Sequence, residues 1–127
     1  MTILLDSHAF FWWFVNDARL SRPAFAAIEE DQNIYVSAVV TWEISGKVRS
    51  GKWAQAEQLS RTFFQILLDH NMKPLPITLE HADLAGSVPG PHRDPFDRML
   101  AAQAIVEGMP LVSADPAFRH FDVEVIW

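Results

Sequence analysis

Residues 2–6 read T-I-L-L-D, a short, mainly apolar run closed by an acid. Such a run, without helical period and with a polar stop, reads as a strand buried inside a parallel sheet. Asp6 then falls at its carboxyl end, which is where open parallel sheets bind ligands. Ser7 is expected to cap a helix over His8–Val15, broken by Asn16-Asp17. A second helix starts at Leu20-Ser21-Arg22-Pro23, with Ser21 as cap and Pro23 in the first turn, and ends near Glu30. Asn33–Val36 is a second strand, and Ser37 caps a helix over Ala38–Arg49 that Ser50-Gly51 terminates.

Further along, Ala56–His70 has a helical apolar face of Leu59, Phe63, Ile66 and Leu67. Lys73–Leu75 is a third strand, and Pro74 and Pro76 put it at a sheet edge. Thr78 caps a short helix to about Gly86, and Ser87–Arg93, with Pro89, Gly90 and Pro91, is a loop. Asp94 caps a helix with Pro95 at its first position that runs to about Glu107 and is closed by Gly108. Pro110–Ser113 and Val123–Trp127 are the fourth and fifth strands, with a helical turn over Pro116–Arg119 between them. Strands alternating with helices predict an α/β fold with a parallel sheet and helices on both faces.

The 127 residues suit one domain spanning 1–127, and with half of them hydrophobic the core needs no disulfide or structural metal. The absence of cysteine excludes zinc-thiolate sites, thiol nucleophiles and disulfide frameworks. Met1–Leu5 carries no positive charge and no small-residue cleavage site follows, so no signal peptide is expected. The apolar stretch Ala9–Val15 is far short of the ~20 residues of a membrane span; a soluble, cytoplasmic protein is expected. No P-loop or dinucleotide-binding glycine pattern occurs. The net charge of −6 opposes nucleic-acid binding, unless acids gather around divalent cations that cancel the charge locally.

Four acids fit that condition. Asp6 ends the first strand, Asp115 follows the fourth, Glu43 lies in the third helix and Asp97 in the first turns of a later one. If the first and fourth strands are neighbours, Asp6 and Asp115 face one pocket. Hard carboxylate oxygens suit Mg²⁺ or Mn²⁺. Each acid also has a plain structural reading. Asp6 and Asp115 are natural caps, Glu43 can pair with Lys47 one turn on, and Asp97 can pair with Arg93 or Arg98. Asp94 is three residues from Asp97 and can share its face, although capping is its simpler role. Lys47, Arg93 and Arg98 are candidates for phosphate contacts. His8 and His92 read as hydrogen-bonded neighbours of the acids. The aromatic run Phe10–Phe14 reads as core on one side and partner contact on the other.

The motifs form a longer pattern: I-L-L-D-S-H at 3–8, V-S-A-V-V-T-W-E-I at 36–44, H-R-D-P-F-D-R-M-L-A-A-Q-A at 92–104 and L-V-S-A-D at 111–115, with D-A-R-L-S at 17–21 and K-V-R-S-G-K at 47–52. This series resembles the PIN-domain family, and within it the VapC-type toxin branch. The resemblance implies a three-layer fold with a central parallel sheet of order 3-2-1-4-5. It implies Mg²⁺ or Mn²⁺ at a carboxylate cluster and endonucleolytic cleavage of RNA by metal-activated water. It also implies a proteinaceous antitoxin of a type II toxin–antitoxin pair, and a homodimer. Asp6, Glu43, Asp97 and Asp115 stand where the family keeps its acids, with Asp94 the rival of Asp97. Ser113 stands where the family often has threonine, so its hydroxyl is expected to orient a water. Ser7 and Ser37 are candidates for similar supporting roles beside capping.

Two other functions compete. A catalytically silent interaction module would keep the fold without the chemistry, and a DNA-directed nuclease of related fold would share the acids. A phosphoacceptor receiver domain is excluded: Asp6 has no adjacent acid, Pro74–Ile77 carries none, and no lysine follows the last strand.

Overall fold

In the computed structural model, which describes residues 1–30 and 33–127, Ile3, Leu4 and Leu5 are completely buried at the centre of a five-stranded parallel sheet. These residues form β1 (Thr2–Leu5), followed by α1 (Ser7–Val15), α2 (Arg22–Glu30), β2 (Asn33–Ser37) and α3 (Ala38–Arg49). Then come a 3₁₀ turn (Ala54–Ala56), α4 (Glu57–Asp69), β3 (Lys73–Leu75), α5 (Leu79–Ser87) and α6 (Pro95–Glu107). The chain finishes with β4 (Leu111–Val112), a second 3₁₀ turn (Pro116–His120) and β5 (Val125–Ile126). The strand order is β3-β2-β1-β4-β5, as the motif series implied, with every pair parallel. The chain winds outward from β1 to β3 in one direction and then crosses to β4 in the other. Right-handed crossovers in opposite directions cover both faces of the sheet. They leave the switch point between β1 and β4.

Pro74 lies in an edge strand, as its missing N–H requires. The last two strands are shorter than expected, but the predicted ends still bond. Leu4 N–H donates to Pro110 O at 3.0 Å, and Ser113 N–H to Ile126 O at 3.3 Å. The expected cap of α1 is corrected. Ser7 is the first helical residue, and Asp6, in extended conformation, accepts from Ala9 N–H at 2.8 Å. The reason is where β1 stops: Leu5 is the last residue paired with β4, so the turn begins one residue earlier than serine. Ser21, Ser37, Thr78 and Asp94 cap their helices as expected.

Four helices end in the same way. Asn16, Gly51, Asn71 and Gly108 take left-handed conformations, with φ of 56°, 77°, 53° and 66°. In each, the left-handed residue donates to the carbonyl three residues back, and its successor to the carbonyl five back, as in Lys52 N–H to Lys47 O at 2.9 Å. This is the Schellman closure, which reverses the chain towards the next element. A Cβ added at Gly51 meets nothing within 4 Å. Gly51→Ala therefore carries only the conformational cost of the left-handed region and is expected to lower stability by about 1 kcal/mol in urea unfolding.

A buried polar chain joins the two halves. Ser37, His81 and Gln103 are each fully buried. Ser37 Oγ donates to Gln103 Oε1, and Gln103 Nε2 donates to Pro76 O and to His81 Nδ1, both at 3.3 Å. Thr78 N–H also donates to His81 Nδ1, so the proton sits on Nε2, which donates to Glu107 at 2.8 Å. Arg98 provides a second tie. Its guanidinium donates to the carbonyls of Ala85, Val88 and His92, which pins the 88–92 loop to α6.

Candidate active site

The carboxyl ends of β1 and β4 open into a cavity of about 330 Å³ lined by five carboxylates, those of Asp6, Glu43, Asp94, Asp97 and Asp115. Four elements deliver them. Asp6 and Asp115 leave neighbouring strands, Glu43 projects from α3, and Asp94 and Asp97 sit at the start of α6. Ser7, His8, Trp12 and Lys47 complete much of the wall. Ser113 lies behind it, fully buried. Arg93 is exposed, Arg98 is occupied by the three carbonyls, and neither lines this cavity.

Each acid is held by a local group. Asp6 is only 6% exposed. Burial pushes its pKa up to about 7, helped by the negative charges of Asp97 and Glu43, while bonds from Ser113 and Ala9 N–H pull the other way. Glu43, 8% exposed, accepts from Lys47 Nζ at 2.6 Å. Asp97 accepts from His92 Nε2 at 2.7 Å. Its pKa is also raised, first by burial, then by Asp94, Asp115 and Glu43, against the pull of His92. Asp94 Oδ1 accepts from Phe96 N–H and Asp97 N–H. Asp115 Oδ1 accepts from Ala117 N–H, and Asp115 N–H donates to Ser113 Oγ at 3.0 Å. Ser113 therefore links the acids of the two strands.

Among the described residues no three acidic or imidazole groups converge on one ready-made ion position. The acids ring the cavity instead. That spacing suits Mg²⁺ or Mn²⁺, which bind through one or two carboxylates and keep several waters. The charge balance suits a cation as well. Lys47 sits against Glu43 and His92 against Asp97, whereas among the described residues Asp6 is bonded by the neutral Ser113 hydroxyl and Ala9 N–H.

Of the aromatic run, Phe10 and Phe11 are core, and Trp12, Trp13 and Phe14 pack against it part-buried. Trp12 is one turn along α1 from His8, which brings both to the cavity. Trp53 was not singled out by sequence. It stacks on His8 with ring centroids 4.5 Å apart. Its one local signal is its position two residues after Gly51, where a Schellman turn folds the chain back.

The sequence matches the PIN domain over residues 3–124. It is 33% identical over 119 residues to ribonuclease VapC22 of Mycobacterium tuberculosis, an alignment covering 93% of this chain and 90% of that one. The fold is similar to that in the crystal structure of VapBC2 from Rickettsia felis bound to a DNA fragment from its promoter. There the TM-score is 0.72 at 16% identity, with 98% and 97% of the two chains covered. It is also similar to FitAcB from Neisseria gonorrhoeae, with a TM-score of 0.70 at 19% identity over 98% and 96%. A match running from β1 to the residue before β5, agreement in strand order and a curated relative aligned over nearly its whole length lead to one conclusion: the chain belongs to the PIN-domain family, in its VapC-type branch.

Proposed function

We propose that this protein is a divalent-metal-dependent endoribonuclease, the toxin of a type II toxin–antitoxin pair, held in check by an antitoxin protein and acting as a homodimer. The observation that carries the reading is the ring of five carboxylates at the switch point between β1 and β4. The family supports it through a relative named as a ribonuclease and through solved toxin–antitoxin complexes of the same fold.

When bound, Mg²⁺ or Mn²⁺ supplies charge stabilisation for a phosphodiester and acidifies a water molecule. Asp6, Glu43, Asp97 and Asp115 would hold it, with Asp94 as a further donor. The remaining work falls to groups already placed. Lys47 fixes Glu43 and puts a positive charge on the wall where a phosphate would sit. His92 fixes the Asp97 carboxyl, and Ser113 holds the Asp6 and Asp115 ends together. With Asp6 and Glu43 almost wholly buried, their carboxylates need little reorganisation when charge develops.

The purified chain is expected to cut single-stranded RNA in Mg²⁺ or Mn²⁺ and to stop in EDTA. Glu43→Gln should lower the rate roughly 100-fold or more with an unchanged circular dichroism spectrum. Cleavage that continues in chelator would sink the reading. The competing interaction module is favoured by one feature: Lys47 and His92 partner two of the acids. It requires that Mn²⁺ leave the melting temperature unchanged.

A further inference from the structure

A second cavity adjoins the acidic one. It measures about 300 Å³ and is lined by His8, Lys47, Lys52 and Trp53. His8 and Lys47 line both cavities and form the partition. The Schellman turn builds this place. With Gly51 at φ 77°, both Lys52 N–H and Trp53 N–H bond to Lys47 O, at 2.9 and 3.1 Å. Residues 52 and 53 are thereby folded back onto the end of α3. Trp53 then stacks on His8 at an interplanar angle of 22°, meets the edge of Phe11 at 5.2 Å and has Lys47 Nζ 6.0 Å from its ring centre.

The chemistry of the two cavities is opposite. One carries five acids. The other carries none, two lysines and two stacked rings. Lys47 is committed to Glu43, but among the described residues the exposed Lys52 side chain has no hydrogen-bond or ion-pair partner. His8 is exposed, and Trp53 supports it from behind. A free cation beside a supported flat ring is what an unpaired nucleotide requires: a charge for its phosphate and a face for its base. In a chain of net charge −6 this is basic, aromatic ground directly beside the acids. A duplex, whose bases are already stacked, cannot use the ring.

We propose that this second cavity is a nucleotide subsite of the ribonuclease, in which Lys52 takes a backbone phosphate and the His8 ring, backed by Trp53, takes the base of the nucleotide next to the one held at the acids. The proposal rests on the ribonuclease reading above and adds to it the residues that hold the unpaired nucleotide beside the acids.

Binding of a fluorescein-labelled single-stranded RNA oligonucleotide in Mg²⁺ tests it, measured by anisotropy in the full chain carrying Glu43→Gln, with cleavage followed in parallel in chains that retain Glu43. Adding Lys52→Ala should raise Kd roughly fivefold and lower the slope of log Kd against log salt by about one. Adding His8→Ala should raise Kd roughly fivefold with the salt slope unchanged. In the cleavage assay both should raise KM far more than they lower kcat. Lys73→Ala, on β3 at the amino end of the sheet, is the control and should change neither. If the parent proteins bind and cleave but Lys52→Ala and His8→Ala match them, the subsite is overturned and the ribonuclease stands. An equal loss in Lys73→Ala marks a general charge effect and also overturns the subsite. If the chain retaining Glu43 cleaves no RNA and the Glu43→Gln chain binds none, both readings fall together.

Discussion

Asp6→Asn is expected to abolish RNA cleavage and, in a chelated sample at pH 8, to raise the melting temperature. The two effects have one source. Asp6 is a nearly buried carboxyl facing Asp97 and Glu43, so its ionised form is costly until a cation joins it. Its ordinary pKa of 3.8 is pushed up to about 7 in the fold. Below the ordinary value the carboxyl is protonated whether the chain is folded or not, and contributes nothing. As pH rises from about 4 to 7, the unfolded chain ionises while the folded one retains the proton, and the metal-free protein loses stability. Above pH 7 the penalty is constant. That rise in pKa corresponds to a penalty of about 4 kcal/mol.

Asparagine keeps an oxygen for Ala9 N–H and removes the charge, so a gain on the order of 2–4 kcal/mol is expected at pH 8 and little at pH 4. Thermal melts in EDTA across that range check it. The gap between variant and parent must widen with pH. Added Mn²⁺ should then raise the melting temperature of the parent and leave the variant where it was. Loss of one charged oxygen donor should slow cleavage roughly 100-fold or more. A variant that melts below its parent at pH 8 in chelator would refute the electrostatic account, and one that still cleaves RNA would remove Asp6 from the machinery.

Gln103→Leu is expected to cost about 2–3 kcal/mol and to lower the melting temperature by about 10 °C. Leucine fits the volume approximately but carries no polar atom. Pro76 O loses a bond, and Ser37 Oγ and His81 Nδ1 each lose one in a place closed to water. The loss reaches the site because this chain of bonds joins the start of α3, which carries Glu43, to α6, which carries Asp97. Mn²⁺ should therefore stabilise Gln103→Leu less than it stabilises the parent. Differential scanning calorimetry with and without the ion measures both effects. A melting temperature unchanged within 2 °C would mean that the polar chain adds nothing to the fold.

Much of the architecture was legible because helix ends are local events. Asn16, Gly51 and Gly108 mark their terminations through backbone conformation, and Ser21, Ser37, Thr78 and Asp94 mark starts through bonds made within one helical turn. Alternation of strands and helices indicated the class of sheet. The order of strands came from the motif series, since alternation alone does not decide it. Ser7 was misread as a cap because two oxygen donors stand side by side, and the choice between them depends on where the pairing of β1 with β4 stops.

The candidate site divides in the same way. The Glu43–Lys47 pair was readable from its one-turn spacing, as was the capping by Asp94 and Asp115. That His92 bonds one of the acids was readable, but that Asp97 takes His92 was not, because Arg93 and Arg98 are nearer in sequence and carry a permanent charge; the fold instead gives Arg98 to three backbone carbonyls. The link from Ser113 to Asp6 and the stacking of Trp53 on His8 join residues far apart in the chain. Short-range hydrogen bonds and backbone preferences act on neighbours, so the sequence by itself determined where the elements start and stop and that acids stand at their ends. Desolvation and Coulomb interaction depend on what packs around a group, so only the tertiary structure decided that these acids share one cavity, that Asp6 is the carboxyl most raised by burial, and that a basic, aromatic cavity lies against them.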